Sequence, residues 1–493
     1  MYWFLKKIVR KLKDKMKILL IEPNMEEYAL MPTLSLALLK GFIKDKTRHE
    51  AKVVDLVFHK KDWKKYLVKE IEREKPDIIG LSVLSFNYQQ ALQIARFIKM
   101  EFDIKIIFGD ISVIISPQKV IENKEVDIIC TGEGEVTLKE LLDNNLDCKD
   151  IQGIWYKHEG KIIKNKNRKL VENLDTLAFP DFEDFDLDKY FLLNNNHLPI
   201  LASRGCPYNC SYCSNHALRK KLEGKYVRFR SVDNVINEIE LRINQLKNKG
   251  LQYIYFYDDT FILYKDFIVD FCKKFMEKEF HKRLKWSVNV RANLVTDKII
   301  KTMKEAGCYE VRMGIESGND YIRNNVFKRN MTMGEIINAL QMIKDNRLLS
   351  RLYFMIGAPY ETVEMMEESF DLAMKSNADI ILFNRLLPLP GTEIRELCEK
   401  EKLLVFNDSN DFSHVAVNPV RTTMFASEKQ IEKFMAKIKR WQWQRFINEG
   451  FEMNGFFFLW DILLYFLYYK QKYVLGKKQI YRWTIQKYKF NNL

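Results

Sequence analysis

The amino-acid sequence predicts an α/β protein in three parts: an N-terminal doubly wound parallel sheet, a partial (β/α)6 barrel and a helical C-terminal region. Three observations carry this reading. Over residues 17–150, short apolar runs alternate with segments of helical period, the pattern of parallel strands covered on both faces. Over residues 196–395, strand and helix repeat about six times, as in barrels built from β/α units. From residue 396 the strand pattern stops, and helical, apolar and aromatic stretches take over.

Composition narrows the class. A chain of 493 residues, 47% apolar and 30% charged, is too apolar for disorder and long enough for two or three cores. Eight cysteines in this length do not make a disulfide scaffold. Cys130, Cys148, Cys272, Cys308 and Cys398 are scattered and read as small buried apolar side chains. The apolar stretch Tyr2–Leu5 is too short for a signal-peptide core, so the expected location is cytoplasmic and reducing. The net charge of +14 is spread along the chain as lysine, which predicts no specific nucleic-acid partner.

Residues 1–16 place Phe4, Leu5, Ile8, Val9, Leu12 and Met16 at helical spacing, with Lys6, Lys7, Arg10, Lys11, Lys13 and Lys15 opposite. This basic amphipathic helix suits a membrane interface or, equally, docking on the protein with a solvated face. Residues 17–150 predict strands at Lys17–Glu22, Lys52–Phe58, Asp77–Val83, Lys105–Gly109 and Asp127–Cys130. Helices are predicted at Thr33–Lys44, Trp63–Glu74, Tyr88–Phe102, Pro117–Asn123 and Thr137–Asn144. Ligands of such sheets bind at strand C-termini, here Pro23-Asn24, Ser82–Ser85, Gly109-Asp110 and Thr131–Glu135. Small residues there let a bulky planar ligand approach the backbone. Residues 151–195 read as a linker, with a hairpin over Gly153–Lys164 turning at Glu159-Gly160 and an acidic, proline-containing run over Leu174–Asp188.

The barrel, residues 196–395, predicts strands at Pro199–Ser203, Tyr253–Tyr257, Lys285–Val290, Tyr309–Ile315, Arg351–Ile356 and Asp379–Leu386. Helices are predicted near Val232–Lys247, Lys265–Lys278, Asp297–Glu305, Met333–Lys344 and Glu361–Ser376. Its chemistry should lie at strand C-terminal ends. Glu310, Arg312, Gly314 and Glu316 share one face of the fourth strand by the period-two rule, and a charged face can point only to solvent or into a polar lumen. At the strand's end, the Glu316 carboxylate can accept two hydroxyl hydrogen bonds. Arg312 suits a carboxylate or substrate group, against the alternative of a salt bridge across the barrel.

The first barrel strand runs into Cys206-Pro207-Tyr208-Asn209-Cys210-Ser211-Tyr212-Cys213. Three thiolates are soft ligands suited to an iron–sulfur cluster, and on a four-iron cubane they leave one iron open to substrate or cofactor. Zinc is the alternative, with His216 as the fourth ligand. This stretch, including the aromatic Tyr212, resembles the cluster loop of radical S-adenosylmethionine (SAM) enzymes. The resemblance implies a [4Fe-4S] cluster on Cys206, Cys210 and Cys213. Its open iron would bind SAM, and its reduced form would cleave SAM to a 5′-deoxyadenosyl radical. Asp258-Asp259-Thr260 then occupies the place that contacts the SAM amino group, Asn289 and Arg291 a polar contact, and Glu316-Ser317 the ribose contact. Ile356 lies in Phe354–Tyr360, which loosely matches an adenine-packing element, and Leu387–Thr392 also recurs in these enzymes.

Residues 17–150 resemble the flavodoxin- or Rossmann-like cobalamin-binding domain found ahead of many radical SAM domains. Ser82-x-Leu84 matches its Ser-x-Leu element, Gly109-Asp110 stands where it often has Gly-Gly, and Gly132-Glu133-Gly134-Glu135 is a frequent signature. The chain departs from the pattern in having no histidine over Asn24–Tyr28 and Gly109-Asp-Ile-Ser-Val-Ile-Ile in place of Gly-Gly-x-His-x-Thr. Together these resemblances imply cobalamin-dependent methyl transfer to an unactivated carbon of a small-molecule or lipid-like substrate, with a ferredoxin or flavodoxin as electron donor. Radical cyclisation or rearrangement is the alternative reaction. A methylthiotransferase would need three cluster cysteines in the first domain, where only Cys130 and Cys148 occur. An alternative of another class is a non-enzymatic metal-binding scaffold at a membrane surface. In the tail, Phe456–Tyr469 is apolar and aromatic but too short to span a bilayer, which leaves a core helix, a lid or an interfacial segment.

Overall fold

The computed structural model describes residues 15–25, 31–194, 196–404 and 422–445. Most of the predicted 1–16 helix and the aromatic stretch 456–469 lie outside these residues.

The first sheet runs β2-β1-β3-β4-β5-β6-β7. Strands β1 (Lys17–Glu22), β2 (Glu50–Asp55), β3 (Ile78–Ser82), β4 (Lys105–Gly109) and β5 (Ile128–Cys130) are parallel. Helices α1 (Leu34–Lys46), α2 (Trp63–Glu74), α3 (Tyr88–Glu101), α4 (Ile111–Ile115) and α5 (Pro117–Ile121) make the crossovers, and α6 (Gly134–Asp143) follows β5. One core lies on each face: Leu19, Ile21, Ile79 and Phe108 point to one, Ile18, Leu20, Ile78 and Ile107 to the other. That two-sided burial is why these strands read as unbroken apolar runs.

The stretch expected as a linker is instead built into this sheet. Strands β6 (Ile154–His158) and β7 (Lys161–Lys164) form the predicted hairpin, but β6 pairs antiparallel with β5 and extends the sheet by two strands. The acidic run is pinned as well. Buried Lys40 lies 3.0 Å from both Asp181 and Asp184, and Lys44 lies 2.7 Å from Asp181. A buried ammonium needs such partners, so the run's acidity follows from what it covers. Helix α7 (Leu187–Asn194) then leads into β8 (His197–Ile200), whose Leu198 sits in the first domain's core.

The second sheet runs β15-β14-β13-β12-β11-β8, all parallel and in chain order, with β8 and β15 (Ile380–Arg385) as unjoined edges. Strands β11 (Tyr253–Phe256), β12 (Lys285–Val290), β13 (Cys308–Glu316) and β14 (Leu349–Ile356) lie between them. This is the predicted partial (β/α)6 barrel. Its helices are α9 (Val232–Gln245), α10 (Lys265–Glu277), α11 (Asp297–Glu305), α12 (Met333–Asp345) and α13 (Val363–Lys375), packed outside on Phe256, Trp286, Val288, Met313 and Phe354. The tail helix at 428–445 adds Ile431, Phe434 and Ile438 to that outer core. Two short helices, α8 (Ser214–Lys221) and α14 (Glu393–Lys400), and a two-stranded antiparallel ribbon, β9 (Ser203–Arg204) with β10 (Arg228–Phe229), frame the barrel mouth.

Candidate active site at the barrel mouth

The cysteine loop leaves the barrel through a turn that only glycine fits. Gly205 has φ +85°, and a Cβ there would come within 2.4 Å of the Tyr226 carbonyl oxygen. Further on, Ser211 N–H donates to the Phe327 carbonyl at 3.1 Å and the Ser211 hydroxyl to the Val326 carbonyl at 2.6 Å. These carbonyls end a π-helical turn, Ile322–Val326, a distortion that recurs at functional sites. Cys210 is buried, while Cys206 and Cys213 keep partial exposure. Burial raises both of these thiols, Cys213 to about 11, with Asp259 adding to the shift.

Two guanidiniums converge on Cys210. Arg291 Nη1 lies 3.6 Å and Arg329 Nη1 3.5 Å from its sulfur. Arg291 also stacks 3.6 Å over the Tyr208 ring. Arg329 Nη1 donates to the Tyr212 hydroxyl at 3.1 Å, and that hydroxyl donates to Glu316 Oε1 at 3.0 Å. A chain of polar contacts therefore joins Cys210 to the carboxylate predicted for the ribose. Burial raises the Glu316 carboxyl, with Arg329 and Tyr212 opposing the shift. Glu316 also breaks the period-two rule. Its φ is +71°, a register shift lies between Gly314 and Glu316, and the carboxylate folds over Gly314, where a Cβ would meet Oε1 at 2.1 Å. Arg329 was not legible in the sequence. It sits in a loop between two left-handed residues, Lys328 and Asn330, with no local pattern to mark it.

The remaining barrel candidates divide. Asp258 is fully buried and accepts from Ala202 N–H at 3.0 Å and from the Ser203 hydroxyl, so it anchors the start of the cysteine loop. Burial pushes its carboxyl up to about 6. Asp259 keeps solvent contact at the mouth, near Cys206 and Cys213, yet the crowded walls desolvate and raise it, with Asn215 opposing. Asn289 accepts from the Tyr255 hydroxyl at 3.0 Å and donates to the Asp258 carbonyl at 2.9 Å. Arg312 takes the alternative course. Its Nε and Nη2 bind Glu310 at 3.1 and 2.9 Å, and Arg351 holds the other Glu310 oxygen. Burial alone would raise Glu310, but the two guanidiniums outweigh it and hold the carboxyl at about 2. Ser317 faces away from the mouth, its hydroxyl 3.2 Å from that of Ser369, and Ile356 lies in the outer core.

In the first domain, the Ser82 hydroxyl donates to Asp110 at 2.7 Å, and the Leu84 N–H to Asn87 at 2.8 Å. Asp110 adopts φ +87°, ψ −176°, a region otherwise left to glycine. Gly132 follows the C-terminal end of β5, but Glu133 is not free for a ligand. It accepts from Arg204 Nη1 at 2.7 Å, Arg228 at 2.9 and 3.0 Å, and Val171 N–H at 2.8 Å, which saturates both oxygens.

The donor sets fit the implied groups. His216 does not complete a zinc site: its Nδ1 faces the Cys213 carbonyl at 3.0 Å, and its Nε2 points to Glu393 at 3.7 Å. Among the described residues no three His, Cys, Asp or Glu side chains converge as ligands of a single ion do, whereas the thiolates of a cubane bind separate irons. At the first sheet's edge, a Cβ on Gly109 or Gly132 would find its nearest neighbour only at 3.9 Å. The protein's own packing does not require glycine there, so the two leave room for a planar ligand.

Comparison with known proteins agrees with this geometry. Residues 200–373 match the radical SAM superfamily and residues 27–142 the B12 binding domain. An uncharacterized methyltransferase of Pyrococcus horikoshii is 30% identical over 455 residues, covering 90% of this chain and 96% of the relative. An anaerobic magnesium-protoporphyrin IX monomethyl ester cyclase of Rubrivivax gelatinosus is 26% identical over 418 residues, 80% of this chain and 72% of the relative. The fold is shared with the cobalamin-dependent SAM radical enzyme OxsB, bound to aqua-cobalamin and SAM (TM-score 0.70, 18% identity, 97% of this chain and 79% of that one). It is shared too with the radical SAM methyltransferase TsrM of Kitasatospora setae, bound to cobalamin and a [4Fe-4S] cluster (TM-score 0.66, 18% identity, 81% of each chain). The fold and the three-cysteine mouth define a radical SAM enzyme. With its B12 binding domain, the chain belongs to the cobalamin-dependent radical SAM family, whose cofactors are a [4Fe-4S] cluster, SAM and cobalamin.

Proposed function

We propose that the chain transfers a methyl group to an unactivated carbon of a small-molecule substrate at the barrel mouth. The observation that carries this reading is the meeting of two ligand edges. Helix α4, directly after Gly109-Asp110, packs on helix α8, directly after Cys213. The cluster supplies the electron that cleaves SAM to a hydrogen-abstracting radical, and cobalamin supplies the methyl group. Cys206, Cys210 and Cys213 hold the cluster; Ser82, Leu84, Gly109 and Gly132 border the corrinoid. Glu316, oriented by Tyr212 and Arg329, accepts the ribose hydroxyls of SAM, and Asp259 receives its amino group. Tyr255 and Tyr257, 5.1 Å apart, wall the substrate space, with the Arg312 guanidinium 3.8 Å above the Tyr255 ring.

The names of relatives support methyl transfer, and the TsrM complex, which holds tryptophan, supports a small molecule. An electron donor of the ferredoxin or flavodoxin type, and a cytoplasmic place with membrane contact through the basic N-terminus, complete the proposal. No helix among the described residues is long and apolar enough to cross a membrane.

Anaerobic reconstitution tests it. About four irons per chain and an electron paramagnetic resonance (EPR) signal perturbed by SAM are expected, with a corrinoid visible spectrum after hydroxocobalamin. Cys206→Ala should abolish 5′-deoxyadenosine formation. Tightly bound zinc without a reducible cluster would overturn the radical reading; a cluster without corrinoid uptake would overturn methyl transfer.

A further inference from the structure

Glu133 and Glu135 were expected at a ligand, yet both are consumed by two arginines of the other domain. Arg204 bridges them, at 2.7 Å from Glu133 and 2.5 Å from Glu135, and Arg228 binds Glu133 through two nitrogens. Arg204 and Arg228 face each other in the β9–β10 ribbon. Arg204 precedes Cys206 by two residues, with only the left-handed Gly205 between them. Arg228 also donates to the Val171 carbonyl at 2.7 Å, so the segment joining the domains enters the same knot. Two carboxylates against two guanidiniums leave it neutral. Side-chain exposure is 4% for Arg228, 6% for Glu135, 14% for Glu133 and 17% for Arg204. Burying four charges is a poor route to stability, since apolar groups of similar size would serve as well; what directional pairs supply is a fixed register.

We propose that Glu133 and Glu135 are positioning residues for the cluster: through Arg204 and Arg228 they fix the entry of the cysteine loop against the corrinoid-binding sheet. The far side of the loop is held within the barrel by Ser211, so the clamp determines how that loop sits relative to the other domain. This inference rests on the function proposed above, and its test separates the two.

The test compares reconstituted wild type with Glu133→Gln, Glu135→Gln, Glu133→Asp and the control Glu140→Gln. Glu140, on the same helix as Glu135, pairs with Arg168 and does not touch the ribbon. Iron content, cluster midpoint potential and the SAM titration of the EPR signal are read. In Glu133→Gln and Glu135→Gln, the SAM concentration for half-perturbation should rise at least about tenfold, a coupling of ~1.4 kcal/mol, and the potential should shift. Glu133→Asp should recover part of both, and Glu140→Gln should match wild type. If Glu133→Gln loses iron, Glu135→Gln, which frees only one nitrogen of Arg204, decides. Wild-type potentials and SAM titrations in both glutamine variants, even with lowered thermal stability, would overturn the clamp. No SAM-perturbed signal in wild type would overturn the functional reading instead.

Discussion

Glu316 holds its position through two contacts that can be removed one at a time. The Tyr212 hydroxyl binds its oxygen, and the bare Gly314 backbone leaves room for the carboxylate to fold back. Glu316→Gln keeps the shape and loses the charge. Hydrogen bonds to charged groups contribute ~1.5–3 kcal/mol, so SAM affinity should fall about tenfold or more in equilibrium dialysis. Gly314→Ala should reproduce that loss with Glu316 intact, because its methyl would occupy the place of Oε1. Unchanged affinity in both variants would remove Glu316 from the SAM site. Two other carboxylates titrate with opposite signs. Glu22 is pushed up to about 8 by burial and by Asp55 and Asp110, so the folded chain keeps a proton that the unfolded chain releases near 4.5. Stability therefore falls as pH rises from about 4.5 to about 8, by at most ~1.4 kcal/mol per pH unit. Glu22→Gln should flatten that slope in urea unfolding at pH 6 and 8. Glu310 is held at about 2, so its contribution is complete above about 4.5 and is lost as pH falls through about 2.

At the scale of elements, the cysteine loop depends on Gly205, whose φ of +85° and contact with Tyr226 exclude a side chain. Gly205→Ala should leave far-ultraviolet circular dichroism near wild type while reconstituted iron falls well below about four per chain. Full iron loading would show that the loop tolerates displacement. Elements were legible where local pattern and tertiary burial agree. β1, β4 and α2 match their predicted ranges, because continuous apolar runs and Pro76 speak for themselves. Helices α4, α8 and α14 carry little local signal: each is short, and two of them are highly polar. The 151–195 stretch read as a linker because its pairing partner, β5, lies elsewhere in the chain. The site shows the same division. The cysteines, Glu316 and the Glu310–Arg312 face follow from local sequence, whereas Arg329, the approach of Arg351 to Glu310 and the arginines that absorb Glu133 come together only through the fold.

At the scale of the whole molecule, the two sheets share a core at Leu198 and meet through α4 and α8, which directly follow Asp110 and Cys213. A corrinoid at the first edge should therefore be linked to the stability of the pair. Binding to the folded state adds RT ln(1 + [L]/Kd), ~2.7 kcal/mol at a hundredfold excess over Kd, so hydroxocobalamin should raise the thermal midpoint in a concentration-dependent way. Gly109 makes the cause identifiable. Its backbone is not left-handed, and a Cβ there would lie 3.9 Å from its nearest neighbour, so the apo fold should accept Gly109→Val with little loss. The branched side chain would fill the open space beside Gly109, where the corrinoid is proposed to lie. We expect this variant to match wild type in apo unfolding, to show no cobalamin-dependent shift, and to elute from gel filtration without the corrinoid spectrum. Its cluster, held by the other sheet, should still show a SAM-perturbed EPR signal. Retention of cobalamin by Gly109→Val would place the corrinoid elsewhere and dissolve the link drawn between the two edges.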